Sequence, residues 1–170
     1  MGTNYSEIYS LFVASIKDYK IDKLFRLGLK NQELEDLEIE DIDPEIEEIE
    51  EENKFKEFED YVKPFLIKGL INFKKCKKDL EDRDDTTQVF NETLSTEEKV
   101  ILSNLMLVEW LTKEVNDILQ MKLHLQDSDF KTFSSAQNLR EKSVHLNNTR
   151  EVVDKQITQY GYNNLDWTVL

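Results

Sequence analysis

The stretch "STEEKVILSNLMLVEWLTKEVNDILQ", Ser95 to Gln120, decides the fold. Ser95 followed three positions later by Glu98 is a capping-box signature. The hydroxyl accepts a hydrogen bond from the third helical N–H, and the carboxylate reaches back to the N–H of the cap. From Val100 to Leu111 apolar side chains cover nearly the whole circumference, then narrow to a stripe at Val115, Ile118, Leu119 and Leu125. A helix that is apolar all round is buried on several sides. It is therefore expected to be the central helix of a bundle, with Leu105, Leu107, Val108, Trp110 and Leu111 in the core or at a subunit interface.

Working outward, only four Gly and two Pro occur among 170 residues. Long runs of helix formers with so few breakers point to an all-α protein, a bundle of about four long helices. Asn4 and Glu7 form a second capping box, and Ile8, Leu11, Phe12, Ser15, Ile16 and Tyr19 follow on one helical face. The segment "YKIDKLFRLG" to Gly28 reads equally as extended chain or a short helix. A further helix starts as far back as Asp43, with Pro44 at its first position, and runs on through Phe55, Phe58, Tyr61, Val62, Phe65, Leu66, Ile71 and Phe73. Pro64 predicts a kink or break near Lys63. The polar connection after it, with its loop at residues 77–94, contains at most a short strand-like piece at "TQVF"; connections of such length are often contact loops.

The last helix is expected from about Ser134 to Tyr160. Leu139, Ser143, Leu146, Arg150, Val153, Ile157 and Tyr160 form a heptad seam. With two polar members, that seam suits packing within the same domain better than a free coiled coil. Gly161 occupies the place of a C-cap glycine. The tail "YNNLDWTVL" has no helical run and reads as an arm at residues 162–170. A tail this apolar is rarely left free in solution, so Tyr162, Leu165, Trp167, Val169 and Leu170 are expected to dock on a partner or neighbour.

The formal charge of −14 is local: Glu33 to Glu52 holds 13 of the 36 acidic residues and none of the 22 basic ones. The remainder is almost neutral. Residues 33–53 thus read as an acidic insertion in a single helical domain spanning residues 1–161, solvated and kept extended by like-charge repulsion. Such a balance argues against grip on DNA, which draws on counterion release by Lys and Arg. No segment approaches the roughly 20 apolar residues that span a bilayer. "MGTNYSEIYSLFVASIK" has none of the signal-peptide features, and Cys76, the only cysteine, excludes an intrachain disulfide. These features lead to the expectation of a protein made in a cytoplasm, with no membrane partner.

No catalytic constellation emerges. His124 and His145 have no second His or Cys at ligand spacing. "DRDDTTQVFNET" alternates acids at Asp82 and Asp84, but it lacks the glycine a calcium loop needs at its sixth position and carries Thr93 where the bidentate Glu is required. Nucleophile elbows and glycine-rich phosphate loops are missing as well. Neither an enzyme nor a metal or cofactor is expected.

The half of the chain from about Asp79 to Tyr162 contains the Ser95 helix with "LMLVEWL", the Asn of "VNDIL", the "DF" break at Asp129 and the closing "YGY" at Tyr160. This half resembles a family of small helical proteins of tailed bacteriophages, the head-to-tail connector, neck or adaptor proteins. The resemblance excludes the acidic run. It implies a non-enzymatic virion protein of the neck region, made in the host bacterial cytoplasm. Such a protein assembles as a homo-oligomeric ring on the portal protein, meets other neck or tail proteins, and lets DNA pass without specific binding. It also implies an extended C-terminal arm reaching into the portal or a neighbour, and the apolar tail itself reads as an arm that becomes ordered by docking, in the manner of strand addition. Two other readings stand beside it: an acidic inhibitor or regulator that binds a basic host protein through residues 33–52, and a tail-completion or baseplate component.

Overall fold

The computed structural model describes residues 2–16, 44–124 and 133–165, with side chains for 2–16, 55–120 and 137–165. Among these residues the fold is all-α, with four helices and a small sheet. Strand β1 (Thr3–Asn4) leads into α1 (Tyr5–Ser15); then come α2 (Pro44–Asn72), β2 (Arg83–Asp84), β3 (Val89–Phe90), α3 (Thr96–His124) and α4 (Phe133–Asn163). Helix α3 packs against α1, α2 and α4, the central position its apolar circumference predicts. Ile101, Leu102, Met106 and Leu111 are all at most 1% exposed.

Both capping boxes form. Asn4 accepts from Ser6 N (3.0 Å) while Glu7 accepts from Asn4 N (3.3 Å). Glu98 N donates to Ser95 Oγ (3.2 Å), and Ser95 N donates to a Glu98 oxygen (2.7 Å). Satisfying these otherwise orphaned donors fixes where α1 and α3 begin.

Helix α2 opens at Pro44, so residues 44–53 of the acidic run are helical; residues 33–43, Asp43 among them, lie outside the described residues. The break expected at Pro64 does not occur, and α2 runs through it unbroken. Pro64 is exposed, as is Asp60, the residue whose carbonyl loses its helical donor at Pro64. Ile71, expected inside, is 65% exposed, and Leu70 is buried in its place. On α1, Tyr5, Tyr9 and Val13 join the predicted Ile8, Phe12 and Ile16 in the core, Ser15 is exposed, and Tyr19 lies outside the described residues. Gly69 brings α2 close to α3: a Cβ there would stand 3.1 Å from Leu105 Cβ.

The long connection holds more structure than "TQVF" suggests. Strands β2 and β3 form a hairpin, and β3 also pairs with β1, giving an antiparallel sheet in the order β1-β3-β2. Thr3 and Arg83 flank Phe90, as Asn4 and Asp84 flank Val89. Buried Thr3 accepts from Leu94 N (2.7 Å), so the sheet ties the start of the chain to the start of α3. Asp84 and Asp82 serve the turns locally. Asp84 accepts from Thr86 N at 2.8 Å, and Asp82 accepts from the Asn91 amide at 2.6 Å.

Helix α4 lies antiparallel to α3, as its cross-links show. Asn104 donates to Gln156 (3.0 Å), Arg150 to Thr112 (3.1 Å) and Lys142 to Glu114 (2.5 Å). The heptad seam faces inward at Leu146, Val153 and Tyr160, and polar Arg150 meets a hydroxyl rather than the core. Two sequence expectations fail at the end of this helix. Gly161 is not a C-cap, because α4 continues to Asn163 and no described glycine has a positive φ. Instead Gly161 admits the Lys75 side chain, whose Cδ would lie 3.1 Å from a Cβ at that position. Tyr162 therefore belongs to α4 and not to an arm.

Candidate docking surface

The residues singled out in the sequence separate into two groups. Leu105, Leu107, Val108, Trp110 and Leu111 are all at most 9% exposed, so in the single chain they are core. Leu105 and Val108 also floor a cleft of about 340 Å³ rimmed by Glu109, Arg150 and Asp154. The second group starts at the end of α4. Tyr162 is 60% and Leu165 51% exposed, and a hydrogen bond from Leu165 N to Tyr162 O (3.2 Å) holds that end. Trp167, Val169 and Leu170 lie outside the described residues.

Two recesses flank Tyr162. One, about 470 Å³, is lined by Lys75, Lys77, Thr158, Gly161 and Leu165; the other, about 530 Å³, by Glu151, Asp154, Lys155, Thr158 and Gln159. The end of α4 thus offers an exposed phenol and an isobutyl group between shallow grooves. Such a surface suits docking of a chain segment better than enclosure of a small substrate. Lys75 and Lys77 went unremarked in the sequence, because only the fold brings them beside the end of α4, where the Lys75 side chain lies against Gly161.

What holds this end in position is a buried polar knot. Glu98, 4% exposed, accepts from Tyr160 OH at 2.6 Å, and Tyr160 OH in turn accepts from Lys77 N at 3.1 Å. Cys76 donates weakly to the same carboxylate, with Sγ 3.8 Å from Oε1. Burial, reinforced by the Glu98 carboxylate, pushes the Tyr160 hydroxyl well above its ordinary pKa; the half-buried Cys76 thiol is also raised, chiefly by burial.

A second knot anchors the hairpin. Gln88, at φ 56° in the left-handed region that non-glycine residues seldom adopt, accepts from Tyr9 OH (3.0 Å) and donates to Glu59 (3.0 Å). Tyr5 OH donates to Asp85 at 2.7 Å. That bond holds the Asp85 carboxyl below its usual range, while burial raises Tyr5, Tyr9 and Glu59.

Three buried tyrosines with raised pKa values set an alkaline limit to stability. Their neutral forms are favoured in the folded chain, so stability is intact below the unfolded value near 10. Above it, stability falls by about 1.4 kcal/mol per tyrosine and pH unit. Titration should show tyrosinate absorbance appearing together with loss of helical circular dichroism above pH 10. Smooth ionisation of all six tyrosines with helicity retained would contradict this.

Among the described residues no helix is long and apolar enough to cross a membrane, and no three His, Cys, Asp or Glu gather as a metal site. His145 is exposed, and the side chain of His124 is outside those described. The fold and this surface together define an all-α protein whose last helix ends in exposed apolar side chains. Comparison with protein-family models, curated proteins and solved structures found no match to the chain.

Proposed function

We propose that this chain is a head-to-tail connector of a tailed bacteriophage, a neck or adaptor protein that acts without catalysis by assembling as a ring on the portal. The observation that carries this reading is the end of α4. Tyr162 and Leu165 stand exposed beside two grooves, directly ahead of Trp167, Val169 and Leu170. An apolar segment that follows a folded body in sequence at such a place is suited to dock on a neighbouring subunit or on the portal. The charge distribution agrees with the role: outside Glu33–Glu52 the chain is nearly neutral, so a lumen built from it would not hold passing DNA by its phosphates.

The test is light scattering of the protein alone and mixed with its portal, because the mixture is where ring assembly is expected. Deleting residues 166–170 should leave helicity and melting unchanged and abolish the portal complex. The cut falls there and not after Gly161 because Tyr160 is core and α4 continues to Asn163. A deleted chain that binds the portal as well as the whole one removes the arm from the mechanism; a whole chain that ignores the portal removes the connector reading itself.

A further inference from the structure

We infer that the outer face of α4 pairs two copies of this chain, antiparallel about a two-fold axis at the level of Val153. The inference goes beyond the connector reading and does not depend on it; it concerns the free chain, since a dimer that covers Tyr162 and a ring docked through Tyr162 exclude each other. Val144 is 52% and Tyr162 60% exposed. They are eighteen residues apart, which is five full helical turns, so they lie on one line along α4, about 27 Å from each other. Glu151 and Lys155 stand on that same line, opposite the core residues Leu146, Val153 and Tyr160. Val152, 50% exposed, widens the stripe. Neither Glu151 nor Lys155 has an ion pair or side-chain hydrogen bond among the described residues.

The stripe is complementary to itself in one orientation only. When two copies run antiparallel about Val153, Val144 meets the partner's Tyr162, and Glu151 meets the partner's Lys155. Each contact is made twice, as an isologous interface requires. Parallel pairing would set Glu151 on the partner's Glu151 and Lys155 on the partner's Lys155, so charge selects the antiparallel form. The recess bounded by Lys155, Thr158 and Tyr162 lies where the partner's Val144 arrives. Because such a contact closes on itself, the product is a dimer and not a ring.

Sedimentation equilibrium of the full chain over a range of concentrations tests this, in low and high salt. The wild type should be a reversible dimer, weaker in high salt. Glu151→Lys alone and Lys155→Glu alone each create two like-charge contacts and should weaken it by at least about tenfold; the two combined should restore it. Val144→Glu, at an exposed position elsewhere on the stripe, should weaken it as well, and all variants should keep wild-type helicity. A wild type that is monomeric throughout overturns the inference, as does a dimer indifferent to the single reversals or a combined variant as weak as either alone. A portal complex that survives every reversal would leave the connector reading standing, and loss of the portal complex would leave the dimer standing.

Discussion

Trp110→Ala should lower the unfolding free energy by about 3–5 kcal/mol, the range for removing a large aromatic from a packed core, and the melting temperature by roughly 10 °C. Trp110 is 6% exposed and lies where α3 meets α4, with Lys142 Nζ 6.0 Å from its ring. Lys142 is itself held by Glu114, so truncating the indole empties a site whose walls are fixed on both helices. The native residue is not ideal for its place: its Nε1 is buried without a hydrogen-bond partner among the described residues. An unpaired buried donor costs about 1–3 kcal/mol. Trp110→Phe removes that donor and leaves a smaller void, so it should cost less than half as much as the alanine variant. Thermal unfolding followed by circular dichroism measures both. An unchanged melting temperature for Trp110→Ala would put this side chain outside the core.

The central helix was legible because its signal is continuous. Ser95 and Glu98 mark the start, and the apolar circumference from Val100 to Leu111 has no explanation other than contact on several sides. The inward seam of α4 was legible for a similar reason, since Leu146, Val153 and Tyr160 recur at helical spacing. The three-stranded sheet was not, because strands of two residues carry no alternation to read. Its register also depends on Thr3 and Asn4 meeting residues more than 80 positions away. Gly161 misled because a glycine near a helix end has two uses, a left-handed cap and room for a neighbour, and only the fold brings Lys75 there. Of the residues the sequence assigns to the arm, Tyr162 and Leu165 are exposed at the end of α4, and Tyr162 is helical. The outer stripe of α4 was missed because its charged Glu151 and Lys155 hide the spacing of Val144, Val152 and Tyr162.

Glu98 shows the same limit from the other side, since the sequence marks it only as the partner of Ser95. In the fold its carboxylate accepts from Ser95 N and from Tyr160 OH, 62 residues away. Through Tyr160 it also reaches Lys77 N, and the Tyr160 ring packs on Phe73 at 5.1 Å. Glu98→Ala would strand the buried Tyr160 hydroxyl and take the acceptor from the part-buried Ser95 N–H, and should destabilise the chain by about 2–4 kcal/mol. Glu98→Gln keeps an acceptor for Tyr160 in the same shape and should cost clearly less. Tyr160→Phe breaks the knot at its other node, leaving Lys77 N without its acceptor and Glu98 with one donor fewer. If the bond between Glu98 and Tyr160 fastens the end of α4 to the start of α3, the double variant should lose less than the sum of the singles, by about 0.5–3 kcal/mol. Amide exchange at Lys77 should rise in either single variant. Strict additivity, with Lys77 still protected, would mean that each residue serves only its own helix, and that the position of the end of α4 rests on the apolar contacts of Phe73, Tyr160 and Val153 alone.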